Sequence, residues 1–298
     1  MCELNSIIHL INNLNFISSP TDGEGDLIKH IASLAVAQNI SVQTIKPKPY
    51  LKVAPILIGA PDAKFILVTH CDRKQENPAP LTEFNDAIKK LEGKLDNTIS
   101  LAICLSLIMK IKPLNTSLLI TTSEEGQLNP PVPNAGYLQG TGGRGLISFL
   151  EHNKQHIKDK FFICVDVRPL DNNSIFLETG VQMQLGDGLV LRINEIRNGV
   201  NISADPELLY TIRDCAIRNN INLVRYDCNR LNGQRTGITE LGRGWERLLN
   251  RLGFPITDYH IAWLQPPILK YHTKHEQMSG KDIVALCKVI KCLIETFE

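Results

Sequence analysis

LLITTSEEG, residues 118–126, is the stretch on which the fold turns. Its first half is apolar and β-branched, the composition of a buried strand. It then runs into a turn residue and two adjacent glutamates, Glu124 and Glu125. Two carboxylates at one strand tip repel each other, so water, a cationic neighbour or a metal must offset that repulsion. Other segments end in the same way. FILVTHCD (65–72) finishes in His-x-Asp, and FFICVDVR (161–168) carries Asp166. GKLDN (93–97) places Asp96 in a loop that starts with glycine, and ILKYHTKHE (268–276) finishes in His-x-x-x-Glu. Acids and histidines gathered at the ends of apolar strands predict a ligand site on the strand-end edge of an open α/β sheet.

The composition narrows the class. Of 298 residues, 43% are hydrophobic and 21% charged, which suits a globular chain with a substantial core. The formal net charge is +1 and there is no dense Lys/Arg tract, so nothing argues for a nucleic-acid partner. The eight cysteines form no C-x-x-C pair and sit mostly in apolar runs. They read as small hydrophobes of a reducing compartment, not as a disulfide framework. The opening MCELNSIIHLINNL lacks a basic leader region and an unbroken apolar core. No run of about 18 apolar residues occurs. The expectation is a cytoplasmic chain with no membrane partner; signal-independent export is compatible with the same features.

Read in order, residues 3–18 and 24–38 carry apolar positions at helical spacing, separated by the turn cluster SSPTDG. Strands are expected over 42–45, 51–58 and 65–70. Residues 73–90 are polar and contain proline, as in a surface excursion. A buried helix over 99–110 leads into the strand before Glu124. Residues 127–145 read as a Gly/Pro loop, 146–156 as a helix, and 170–200 as short strands. A helix at 206–219, a strand at 223–227, a helix at 244–252, strands at 260–263 and 268–271, and a final amphipathic helix complete the chain. Strands alternate with helices, so the class is α/β. Near-continuous apolar runs favour a sheet covered on both faces. The expected architecture is three layers, α/β/α, around a central, mostly parallel mixed sheet in one catalytic domain over 1–298, with no separate lid.

The chemistry follows from the residue types. His70, Asp96, Glu125, Asp166 and His272 offer two nitrogen and three carboxylate ligands, a mix suited to Zn²⁺ or a similar divalent ion. Such a set exceeds what one catalytic zinc with an open position needs, and suits two metals sharing one carboxylate, a hydrolytic design. A free carboxylate must then take the proton of the attacking water, and Glu124 is placed for it. Asp72, two residues after His70, can fix the imidazole tautomer.

HCD (70–72), KLDN (94–97), SEEG (123–126), VDV (165–167) and YHTKHE (271–276), in this order, resemble the motifs of the co-catalytic zinc exopeptidases. That clan comprises aminopeptidases, glutamate-type carboxypeptidases and N-acyl amino acid deacylases. The segment SSPTDGEGDLIKHIA also resembles the clan's opening. The resemblance implies two zinc ions per chain: His70 and Asp166 on one, Glu125 and His272 on the other, Asp96 bridging. It implies Glu124 as general base and then acid, Asp72 orienting His70, and a cis peptide after Asp96. Asp72 and Asp96 lie too close in sequence for an inserted domain between them. The stretch from Asp166 to His272 reads as continued helices and strands, closest to the glutamyl-aminopeptidase branch without its lid.

The resemblance implies a hydrolase of peptide or small amide bonds, an aminopeptidase in the first instance. A metal-dependent deacylase or deamidase and a non-catalytic binder of the same fold are the alternatives. An aminopeptidase needs an anion near the free amine, a role open to Glu240. A carboxypeptidase or deacylase needs a cation, a role open to Arg235 or Arg168. The oligomeric state is open at this stage.

Overall fold

In the computed structural model the described residues are 4–73, 81–84, 90–124, 143–153, 157–170, 175, 181–197, 200–227 and 260–298. Two helices open the chain, α1 (Leu4–Asn15) and α2 (Gly25–Ala37), each burying one apolar stripe. Then come β1 (Val42–Thr44), β2 (Ile56–Gly59), β3 (Phe65–His70), β4 (Thr82–Phe84), β5 (Lys90–Gly93), α3 (Thr98–Ile111) and β6 (Thr116–Thr121). After α4 (Arg144–His152) and a 3₁₀ turn at Ile157–Asp159 follow β7 (Phe161–Val165), β8 (Arg168–Pro169), β9 (Leu189–Arg192), β10 (Asn194–Arg197) and β11 (Val200–Ser203). The remainder is α5 (Pro206–Arg218), β12 (Leu223–Tyr226), β13 (His260–Gln265), β14 (Pro267–Ile268), β15 (Glu276–Ser279) and α6 (Gly280–Phe297).

Eight strands form one sheet in the order β1-β2-β6-β3-β7-β13-β9-β12. The centre, β6-β3-β7-β13, is parallel; β1, β2 and the β13–β9 step are antiparallel. Every residue of β3 and β6 is buried, as expected of strands covered on both faces. Strand β3 connects through α3 to β6 on one side, and β6 returns through α4 to β7 on the other. Right-handed crossovers running in opposite directions put α3 and α4 on opposite faces. Helix α3 packs with α1 and α6 on one face, and α5 packs on α6. Helix α4 meets the segment after β1, where Ser148 Oγ donates to Lys46 O and Arg144 donates to Tyr50 O. The carboxyl ends of β6, β3 and β7 therefore open at a topological switch point, the edge on which α/β sheets carry ligands.

The α/β/α class and the mixed sheet agree with the sequence reading; several details differ. The strand expected over 51–58 is only Ile56–Gly59, because Pro55 has no N–H for a ladder. Tyr271 lies beyond β14, in a turn. The polar 73–90 stretch contributes β4, and the following β5 pairs with it and with β15 in a small separate sheet. The helix expected at 244–252 and most of the 127–145 loop fall outside the described residues. Cys71, Cys104, Cys164, Cys215 and Cys292 are buried and outside any disulfide, whereas Cys287 is disulfide-bonded. No helix among the described residues is long and apolar enough to cross a membrane.

Candidate metal centre

His70 is the last residue of β3, Asp166 follows β7, and Asp96 sits in the loop between β5 and α3. Their ligand atoms all lie within 4.8 Å of one another. His70 Nε2 is 3.7 Å from Asp96 Oδ1 and 3.6 Å from Asp166 Oδ1. The second Asp96 oxygen, Oδ2, is 3.2 Å from His272 Nε2. Asp96 thus presents one oxygen to each histidine. Asp96 Oδ1 is buried and accepts no hydrogen bond, which leaves its lone pairs for an ion. With its nitrogen and oxygen donors, this set fits a divalent cation such as zinc.

Electrostatics agree with the geometry. Burial works against a charged His70, but Asp166, Asp72 and Asp96 outweigh it and hold its pKa well above the usual range. Burial likewise disfavours an ionised Asp96, yet His272 and His70 keep its carboxyl well below the usual range.

The backbone around Asp96 is tightly held. The Asp96–Asn97 peptide is cis, as the resemblance implied. The Asn97 amide donates to Thr69 Oγ1 on β3 (2.8 Å) and to Val165 O on β7 (3.0 Å), bracing the loop across both strand ends. Across the site, Glu276 Oε2 accepts from the N–H groups of Leu95 (2.7 Å) and Asp96 (2.9 Å), and its Oε1 accepts from His272 N–H (2.9 Å). Burial and the neighbouring Asp96 push the Glu276 carboxyl up to about 8. His272 has φ +59°, a left-handed conformation that His tolerates better than most residues, and its ring stacks on Tyr271 with centroids 3.6 Å apart.

Glu124 follows β6 and is 5% exposed. Ser123 before it has φ +58°, so the chain turns sharply out of the sheet. Each link of this turn has a buried partner. Ser123 N–H donates to Glu24 Oε1 (2.8 Å), Ser123 Oγ to Asp22 Oδ1 (2.9 Å), and Glu124 N–H to Asp72 Oδ1 (3.0 Å). Arg144, fully buried, donates from one nitrogen, Nη2, to both Asp22 oxygens at 2.9 and 3.0 Å. Burial and the nearby Asp72 raise the Glu24 carboxyl to about 8. Asp72 stands between two of the motifs. Its backbone oxygen is 3.2 Å and its Oδ1 3.4 Å from His70 Nδ1, and Oδ2 accepts from Thr21 Oγ1.

Of the sites expected from sequence, His70, Asp72, Asp96, Glu124, Asp166 and His272 gather at this edge. Glu125, Arg235 and Glu240 lie outside the described residues. Arg168 is buried, with its guanidinium 4.0 Å over the Tyr226 ring, and so is not a surface cation. His275 is half exposed and 2.8 Å from Glu92 Oε1, away from a ligand role. Glu24, Asp22, Arg144 and Asn97 had no role in the sequence reading.

No family model and no curated protein matches the chain. Solved structures do. An aminopeptidase from the archaeon Desulfurococcus kamchatkensis superposes with TM-score 0.67 at 12% identity, covering 98% of this chain and 95% of that one. The TET aminopeptidase of a marine sediment Thaumarchaeota archaeon does so with TM-score 0.67 at 11% identity, over 99% of each chain. A structure described as an endoglucanase from Thermotoga maritima gives 0.58 at 12%, over 97% and 99%. The chain shares the fold of these proteins over 97–99% of its length.

Proposed function

We propose that this chain is a metal-dependent amidohydrolase of the aminopeptidase type, working as a single catalytic unit over residues 1–298. The observation that carries the reading is Asp96, with one oxygen toward the His70–Asp166 side and the other toward His272, beside the strand end that bears Glu124. The fold shared with aminopeptidases supports it. His70 and Asp166 would hold one zinc, His272 and Glu125 a second, and Asp96 both; another divalent ion could serve. Zinc bound there would supply a Lewis acid for the scissile carbonyl and lower the pKa of water.

The chain's own groups do the rest. Glu124, on a backbone pinned by Asp72 and Glu24, takes the proton of the attacking water at its carboxylate and returns it to the leaving amine. Asp72 holds the His70 ring through Nδ1, leaving Nε2 toward the ion. Burial at the strand ends excludes bulk water and strengthens each of these interactions. The proposed substrate is a peptide or small amide with a free amino terminus. Glu240 is the proposed anion for that amine, and Arg235 the cation that a carboxylate-bearing substrate would need.

The test is Glu124→Gln on aminoacyl-anilides, with the metal measured in parallel. The expected variant keeps two zinc ions per chain and loses about 10²–10⁴-fold in turnover. Wild-type-like turnover in that variant removes the proposed base. Metal without release from free-amine substrates, but with release from N-acyl ones, moves the activity to a deacylase.

A further inference from the structure

We propose that Glu276 is a positioning residue that sets the spacing of the two metal positions by clamping the loops that carry Asp96 and His272. The proposal rests on reading those two residues as metal ligands. The two loops are far apart in sequence, and neither belongs to the central sheet. Glu276 touches both. One carboxylate oxygen takes the adjacent N–H groups of Leu95 and Asp96, and the other takes the N–H of His272. Three backbone donors on one carboxylate, 3% exposed, form a bracket with little freedom.

The bracket is itself anchored. Strand β15 pairs antiparallel with β5, placing Glu276 opposite Gly93, and the neighbouring Gln277 bridges to Leu269, before His272. The main chain of Glu276 thus fixes where its carboxylate stands, and the carboxylate fixes the two loops. Because its oxygens face backbone N–H groups, Glu276 acts on the ions only through Asp96 and His272.

The structure assigns to this side chain a consequence that differs from ordinary packing. Glu276→Gln keeps size and shape but leaves an amide N–H₂ facing at least one backbone N–H. The loops then part where Asp96 and His272 meet, while His70, Asp96 and Asp166 keep their own supports in Asp72, Asn97 and the β7 end. The ion shared with His272 should loosen and the one shared with His70 should not.

The experiment is zinc titration of the metal-free full chain against a chromophoric chelator, for wild type and Glu276→Gln, with thermal melting of both metal-free proteins. Cobalt substitution gives a visible spectrum of the coordination. The expected result is two zinc affinities in the wild type, of which only one falls, about 10–100-fold, in the variant. The variant's cobalt spectrum loses the contribution of that ion, and the metal-free melting temperatures stay within a few degrees. Should Glu276→Gln not fold, Glu276→Asp retains the charge but draws the oxygens back, and the same selective loss is expected. Equal zinc affinities in variant and wild type overturn the role of Glu276 and leave the metal centre standing. Loss of both affinities in proportion to lost stability also overturns it, as a structural effect. A wild type that takes up no zinc or cobalt overturns the metal centre itself.

Discussion

Replacing Gly145 by alanine tests how the base is held. Gly145 lies in the first turn of α4, against the exit of β6, and its N–H donates to Thr122 O at 3.1 Å. A β-carbon there would stand 2.5 Å from Thr122 O and 2.6 Å from Thr122 N, where ordinary contact begins at 3.4 Å. Something must move by close to an ångström, and both atoms it meets are backbone. Thr122 has little room to yield. Its Oγ1 donates to Val53 O, and the next two residues are tied to Glu24 and Asp72. Overpacking against backbone costs about 1–3 kcal/mol, and stretching the Gly145–Thr122 hydrogen bond adds about 1 kcal/mol, so a loss of about 2–4 kcal/mol is expected. The same displacement carries Ser123 and Glu124 with it. A misplacement of about 1 Å at a catalytic group lowers turnover on the order of 100-fold. Urea denaturation of the metal-free protein reads the first effect and anilide hydrolysis the second. Gly25→Ala is the control: nothing lies within 4 Å of its β-carbon, and it should be neutral or stabilising by up to about 1 kcal/mol. If Gly145→Ala changes stability by less than about 0.5 kcal/mol and turns over like wild type, α4 is not jammed against the Glu124 turn and the argument fails.

Arg144→Met leaves the Asp22 carboxylate buried without its guanidinium partner, and should cost about 3–5 kcal/mol by urea denaturation. Adding Asp22→Asn should recover a large part of that loss, and additive losses would deny the coupling. Asp282, held by the N–H groups of Gly186 and Gly188, is pushed by burial up to about 7. A carboxyl raised in the folded state contributes stability below its unfolded value, about 3.9, and loses that contribution as pH rises through 7. Relative to Asp282→Asn, wild type should therefore lose stability between pH 5 and pH 7, by up to about 1.4 kcal/mol per pH unit, and parallel pH–stability curves would contradict it. Chelation should abolish anilide hydrolysis, with recovery on adding zinc; activity that survives exhaustive chelation would exclude the mechanism.

What sequence makes legible here is whatever is local. The strand carrying His70 and the one before Glu124 announce themselves as apolar β-branched runs, and the acids at their ends stand in plain view. The β5–β15 pair is not local. KLEG and EQMS are short and polar, and only their pairing across the fold makes them strands. The supporting carboxylates are hidden for the same reason. Glu24 sits where a helix N-cap belongs, and an acid there reads as a partner for its own helix. The structure turns it away: it makes no side-chain cap bond and accepts Ser123 N–H instead, on a segment remote in sequence. Arg144 looks like an ordinary polar residue at the start of an amphipathic helix, yet it is fully buried on Asp22. Glu276 stood in view inside YHTKHE, but its role depends on Leu95 and Asp96, which no spacing rule connects to it. His70, Glu124 and Asp166 share a strand-end edge, so the topology of the sheet brings them together and their motifs give them away. The residues that hold them accept backbone N–H groups from anywhere in the chain, and a backbone N–H carries no signature of residue type. A site of this kind is therefore readable in its ligands before it is readable in its supports.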